Sequence, residues 1–255
     1  ALLLFPTSFF FVGAYTESLF LLLVLATFWF SKQKKYWLVA VSIFFASSTR
    51  ITGIFLLPAV FFEIVFPTLK AQKFSLTSFK NALLQHIQPL ATVSLGSLGL
   101  LAYMTYLYFN FNDPLYFFHV QEEFGGGVRQ EILITYPQVV WRYLKILATA
   151  RPFDLKYLSY VQEFVVGILG LFALLYNAKK IPFSYTIFSL GAFLLPTLTG
   201  TFSSMPRYIL VCFPIFITIA HYSQRSALFK YTWFLFSGFL LLLNTLLFIQ
   251  GYWVA

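Results

Sequence analysis

Long apolar runs separated by short polar breaks dominate this chain. A helix needs about 20 residues to cross a ~30 Å hydrocarbon core. Eight runs meet or approach that length: 9–30, 37–49, 51–66, 90–109, 160–176, 183–199, 208–222 and 231–250. Those at 37–49 and 51–66 are short, rising only ~20 and ~24 Å as helices. Arg50 separates them in T-R-I-T-G, which predicts a hairpin whose turn is buried in protein rather than lipid. Between 109 and 160 the pattern changes. Val139, Val140, Tyr143, Leu144 and Leu147 recur at helical spacing with Arg142 and Lys145 among them, predicting an amphipathic helix along a membrane surface. The fold class is therefore all-α: a polytopic integral membrane protein of about eight transmembrane segments. It forms a single domain over 1–255, with a polar loop at 110–157 that carries the interfacial helix.

Composition strengthens the membrane reading. The chain is 60% apolar and 22% aromatic but only 10% charged, against about 25% charged in soluble domains. That excludes a soluble globular enzyme and a disordered segment. The net charge of +9 is a topology signal. Loops 31–36, 67–88, 177–182 and 223–230 collect Lys32, Lys34, Lys35, Lys70, Lys73, Lys80, Lys179, Lys180, Arg225 and Lys230, with no acid. By the positive-inside rule these loops are cytoplasmic, and 110–157 lies on the opposite face. Nucleic-acid binding thereby loses its support. One cysteine, Cys212, and three scattered histidines, His86, His119 and His221, offer no metal-ligand pattern, and no cofactor is implied.

Charges inside apolar runs are costly and usually face a wet cavity or a partner. Glu17 lies within the first run. It reads as the polar wall of a substrate cavity, with Tyr15 and Ser18 beside it, or as a structural partner of Arg50, or as a helix N-terminus. Arg50 reads as a phosphate ligand, or as an arginine that snorkels to the interface. Arg207, in S-S-M-P-R-Y, follows a proline that can start a helix. A cation in a first helical turn opposes the dipole, so an anion is expected nearby: a lipid phosphate, a headgroup or Glu163. In the large loop, Asp113 and His119 are candidates for sugar contact or acid–base work, or members of a solvated loop. Gln121 belongs to the same stretch. Glu122 and Glu123 read as solvated, and the glycines at 125–127 as a flexible turn without the Lys-Ser/Thr of a phosphate loop.

Five stretches in order carry a family resemblance: F-P-T-S-F-F-F-V-G-A-Y-T-E-S-L-F-L-L-L, S-S-T-R-I-T-G-I-F-L-L-P-A, N-D-P-L-Y-F-F-H-V-Q, S-M-P-R-Y-I-L-V-C-F-P-I-F and the terminal G-Y-W-V-A. Together they resemble the PIG-V-like mannosyltransferases, that is GPI mannosyltransferase 2 and its prokaryotic relatives, of the GT-C class. The resemblance implies an integral-membrane glycosyltransferase. Its donor would be a polyprenyl-phosphate sugar and its acceptor a glycolipid or surface glycan, with membrane lipid around both. Transfer would take place on the extracytoplasmic face, in the plasma membrane of a prokaryote or the endoplasmic reticulum membrane of a eukaryote. It also implies a carboxylate base in a W-D-G-like loop after the first span. This chain has no such segment, so its Ala1 start reads as a truncation and the catalytic base as missing. The resemblance leaves Tyr15, Glu17, Ser18, Arg50, Asp113, His119 and Arg207 as the substrate-binding candidates. Arg50 and Arg207 are assigned the lipid phosphate, and Glu17 and His119 the sugar.

Two other classes compete. A transporter or flippase of lipid-linked substrates also keeps charges at the midplane, but the sequence offers one broken pair, around Arg50, without a matching second. A non-catalytic scaffold leaves Glu17 and Arg50 without a purpose.

Overall fold

The computed structural model describes residues 1–71, 75–121, 133–152 and 154–254. Lys73, Glu122, Glu123 and the glycines at 125–127 lie outside them. Among the described residues every regular element is helical. In chain order they are α1 (Glu17–Lys32), α2 (Tyr36–Thr49), α3 (Leu56–Ala71), α4 (Leu76–Gln85), α5 (Ile87–Ser94), α6 (Leu98–Phe111), α7 (Tyr116–His119), α8 (Tyr136–Thr149), α9 (Leu155–Asn177), α10 (Phe183–Thr197), α11 (Met205–Tyr208), α12 (Phe213–Arg225) and α13 (Ala227–Ile249). Short 3-10 turns at Leu2–Leu4, Ser8–Phe11, Ile51–Phe55, Leu95–Ser97 and Ile209–Val211 precede or join them.

Among the described residues, four stretches are long and apolar enough to cross a membrane: Ile51–Lys70, Ile87–Phe111, Leu155–Asn177 and Ala227–Ile249. Met205–Val211 with Phe213–Arg225 makes a fifth if the pair, bent by 82°, is one span. The bend has a local cause. Pro214 sits in the first turn of α12, where its missing N–H costs nothing, but it cannot continue a preceding helix. Three of the expected spans form shorter helices. Run 9–30 is helical as α1 only from Glu17 onward, which places that carboxylate in a first turn, where the dipole favours it. Run 37–49 becomes the 14 residues of α2, and run 183–199 the 15 of α10, which carries Pro196 next to its end.

The chain divides into two compact units. One comprises Leu19–Tyr116 and Pro182–Phe188. Here α2 packs along α5, the turn at Leu95–Ser97 and α6. Small residues permit the approach: a Cβ on Gly96 would lie 2.7 Å from the Ile43 side chain, and one on Gly99 2.6 Å from Ser47 Oγ. Ser47 donates to the Gly96 carbonyl at 3.1 Å, so a hydrogen bond joins the two elements where they are closest. The break expected at Arg50 is present. Arg50 is extended (φ −146°, ψ 135°), ends α2 and leads into the turn at Ile51–Phe55. Phe28 packs edge-on against Tyr185 at 4.6 Å. Residues 67–88, read as a loop, contain α4. Its cap is legible in retrospect: Ser75 Oγ accepts from the Ser78 N–H at 3.0 Å, ahead of apolar positions 76, 79 and 83.

The other unit comprises Ala1–Ser18, Phe117–Ile181 and Ser189–Ala255. Its core gathers Phe5, Phe10, Val139, Phe193, Phe202 and Phe216 with their neighbours. The amphipathic helix expected near 139–147 is α8. Pro137 stands in its first turn, and Gln138 Oε1 accepts from the Thr135 N–H at 3.0 Å. Val139 and Tyr143 are buried, while Trp141 and Leu144 are exposed. The N-terminal turns are tied into the unit by polar bonds. Thr7 Oγ1 donates to the Pro206 carbonyl at 2.5 Å, Ser237 Oγ to the Leu4 carbonyl at 2.5 Å, and Asn244 Nδ2 to the Pro6 carbonyl at 3.1 Å.

Candidate functional site

The candidate site is built around Arg207. Ser204 stands in the left-handed region (φ 65°) and begins α11, whose third residue is Arg207. The arginine Nε donates to Glu17 Oε1. Glu17 is wholly buried and Arg207 is 21% exposed. Two rings flank the guanidinium, with its carbon 4.6 Å from the Tyr15 centroid and 5.1 Å from that of Phe10. Phe10 and Tyr15 meet edge-on at 4.8 Å, so the cation sits in a preformed aromatic corner. Beside it opens a cavity of about 220 Å³, lined by Phe10, Tyr15, Arg207, Phe248 and residues 251–254. Among the described residues the acceptor of Arg207 is Glu17, bonded to Nε, and the arginine itself lines this cavity.

The anion expected near Arg207 is present, and it is Glu17. Glu163, the alternative, is committed elsewhere. It is 2% exposed and accepts from Tyr143 Oη at 2.6 Å and from the Ser204 N–H at 3.1 Å. Burial, and secondarily the Glu163 charge, raises the Tyr143 phenol well above its ordinary range. Burial likewise pushes Tyr136, on the same helix, up to about 12. Arg142, also on α8, donates from Nη1 to the Gly200 carbonyl at 3.2 Å.

The other predicted residues are distributed as follows. Ser18 is exposed at the second position of α1. Arg50 belongs to the unit of Leu19–Tyr116, where its guanidinium lies 5.7 Å from the Phe20 ring. Asp113 is in that unit too, with Oδ1 accepting from the Leu115 N–H at 2.9 Å in a tight turn. His119 is exposed at the end of α7, its ring 6.0 Å from that of Phe118. Gln121 Nε2 donates to the Phe117 carbonyl at 2.9 Å. Thus Tyr15 and Arg207 line one cavity, and Glu17 reaches it only through its bond to Arg207. Arg50 and Asp113 belong to the other unit, and His119 and Ser18 are not among the cavity's lining residues.

Sequence reasoning missed Phe10, Phe248, Tyr252 and Trp253 as cavity walls. For Tyr252 and Trp253 the signal was an aromatic pair just after the last apolar run, the composition of a membrane-interface belt. Another cavity, of about 410 Å³, lies where α12 meets α13. It offers one cation, Lys230, and none of the predicted residues. No group of three or more His, Cys, Asp or Glu that could hold a metal occurs among the described residues. Compared with models of protein families, with curated proteins and with solved structures, the chain matches none.

Proposed function

We propose that the chain is an integral-membrane glycosyltransferase of the GT-C type. It transfers mannose, or a related hexose, from a polyprenyl-phosphate sugar to a glycolipid or surface-glycan acceptor on the extracytoplasmic face. The observation that carries the reading is Arg207. Its Nε is held by Glu17 and its plane is held by Tyr15 and Phe10, so the Nη groups face a ligand as a fixed fork. That geometry suits the two oxygens of a phosphate. The surrounding rings suit an isoprenoid chain or the apolar face of a sugar.

Convergence of the resemblance motifs adds support. The stretch around Phe10–Glu17, the stretch around Arg207 and the terminal G-Y-W-V are far apart in sequence, yet all contribute to this cavity. In this reading α1, α2 and α10 complete an eight-span arrangement. The acid-free basic loops then face the cytoplasm, and the C-terminal end of α13, with Tyr252 and Trp253 just beyond it, faces outward.

The test is binding of farnesyl phosphate to the purified chain in detergent micelles, read by tryptophan emission, since Trp253 lines the cavity. Saturable binding that falls at least about tenfold in Arg207→Ala is expected, as loss of a charge-assisted contact predicts. Farnesol should not compete. Equal affinity of wild type and Arg207→Ala would sink the phosphate assignment.

One observation favours a second reading, a transporter of lipid-linked substrates. The 82° break at Cys212 adds a second interrupted helix to the one at Arg50, and transporters use such breaks. Movement of a labelled polyprenyl-phosphate sugar across proteoliposomes, without a transfer product, would select it.

A further inference from the structure

Arg207 is carried by a segment that cannot hold its own shape. α11 has four residues, and Ser204 before it is a non-glycine residue at φ 65°, a conformation that persists only where the surroundings impose it. The imposing group is a buried carboxylate. Glu163, on α9, is 2% exposed and receives donors from two elements: Ser204 N–H at 3.1 Å and, from α8, Tyr143 Oη at 2.6 Å. Tyr143 Oη also lies 3.2 Å from Thr201 Oγ1, which accepts from the Ser203 N–H at 3.0 Å. From the opposite side, Thr7 Oγ1 holds the Pro206 carbonyl. Polar bonds therefore hold Thr201, Ser203, Ser204 and Pro206, the stretch that leads into Arg207.

Burying a carboxylate is costly, and an apolar side chain of similar size would fill the space more cheaply. What an apolar side chain cannot do is accept two donors from different helices at once. The stretch is also gripped by packing that leaves little slack. Phe202 is wholly buried, 5.0 Å from the Tyr143 ring and 5.3 Å from that of Tyr136. A Cβ on Gly167 would lie 3.1 Å from the Phe202 ring. With the ring packed in place, the bond from the Ser204 N–H to Glu163 fixes the turn that leads into Arg207.

We infer that Glu163 is the positioning residue for Arg207: its carboxylate bridges α8 to the Ser204 turn and so sets the direction in which the guanidinium meets its ligand. This rests on Arg207 being the phosphate-binding group. It deepens that reading by making the interfacial helix α8, through Tyr143, part of the device that aims the arginine. Displacing α8 pulls on the same carboxylate that holds Ser204.

The test compares Glu163→Ala, Glu163→Gln, Tyr143→Phe and Arg207→Ala in the full chain in micelles. Two readouts are taken well below each variant's thermal midpoint. The first is affinity for farnesyl phosphate. The second is the rate of phenylglyoxal modification at Arg207, followed by peptide mass spectrometry without ligand. A glutamine retains an acceptor for Ser204 and offers an amide donor to a phenol that can turn toward Thr201. Glu163→Gln should therefore stay within about threefold of wild type, and Glu163→Ala should lose about tenfold in affinity. Glu163→Ala should also change the modification rate severalfold. If Glu163→Ala does not fold, Tyr143→Phe replaces it, with an expected loss of about threefold. A folded Glu163→Ala, or Tyr143→Phe in its place, with unchanged affinity and unchanged Arg207 reactivity overturns the inference. So does a fall in thermal midpoint without any change in reactivity, the signature of a merely structural role. If Arg207→Ala binds farnesyl phosphate normally, the phosphate reading fails instead, and the reactivity of Arg207 still decides the role of Glu163.

Discussion

Removing Arg207 alone should destabilise the chain more than removing Arg207 and Glu17 together. Glu17 is wholly buried, whereas Arg207 is 21% exposed. Loss of one member of a buried ion pair costs about 3–5 kcal/mol, because the buried charge that remains loses that counter-ion. The cavity beside Arg207 lets water approach, so the lower end, about 3 kcal/mol, is the appropriate figure. Arg207→Met keeps the apolar stem between Tyr15 and Phe10, and so isolates the charge from the packing. In a chain of this size 1 kcal/mol moves the thermal midpoint by about 2–4 °C, so Arg207→Met should lower it by about 6–12 °C. Glu17→Leu should cost less, since an arginine already part-wet can turn toward the cavity. The double variant removes the buried carboxylate together with its arginine and should be more stable than Arg207→Met. The assay is thermal unfolding in dodecyl maltoside, arranged as a double-mutant cycle and repeated at low and high salt. A pair this enclosed should show little dependence on ionic strength. A shift below about 2 °C in Arg207→Met, or additivity of the single changes within about 0.5 kcal/mol, would refute the argument.

Further predictions concern the frame around this pair. Gly200 adopts φ +91°, where an added Cβ would lie 2.6 Å from both Arg142 Nη1 and Ile134 Cδ1. Those are ends of flexible side chains, so the left-handed backbone dominates, and Gly200→Ala should cost about 1–2 kcal/mol in denaturant unfolding. Asn244 is fully buried and exchanges bonds with Gln162, its Oδ1 accepting at 3.0 Å and its Nδ2 donating at 2.8 Å. Asn244→Leu strands the Gln162 amide and should cost about 2–4 kcal/mol, whereas adding Gln162→Leu should restore part of it in the same assay. Tyr136 is held protonated to about pH 12 by burial. A raised folded-state value means stability fully present below the unfolded value near 10 and lost as pH rises through the folded one. The unfolding midpoint should therefore fall between about pH 10 and 12, and Tyr136→Phe should flatten that fall. A wild-type profile as flat as the mutant's would contradict it.

How much of this was legible in the sequence depends on the range of the physics involved. Apolar periodicity is local, and it located the helices well. The break at Arg50, the amphipathic helix α8 and the long helices α9 and α13 follow from runs of neighbouring residues. Where length alone decided, the reading overreached. The run at 9–30 looks like one span because apolar character continues through it, yet its first third is a 3-10 turn followed by bends. The reason is again Glu17. A helix running through it would hold a carboxylate in mid-membrane, while starting the helix there places the charge in a first turn facing a cation.

That cation is the part no local pattern could supply. Glu17 and Arg207 lie 190 positions apart, and the sequence offers each of them several plausible partners. The demand for an anion near Arg207 was readable, because a cation in a first helical turn must be answered; the identity of the anion was not. The polar bonds that select it are equally long-range: Thr7 to Pro206, Asn244 to Pro6 and Glu163 to Ser204 each join segments distant in the chain. In an apolar medium such bonds have no competition from bulk water, so a few of them suffice to choose one register among many equally oily packings. The candidate site is thus set by the same scarce polar groups that choose the fold. For that reason Tyr15 and Arg207 line a single cavity, with Glu17 bonded to the arginine, while Arg50 and Asp113, equally conspicuous in the sequence, belong to the other unit.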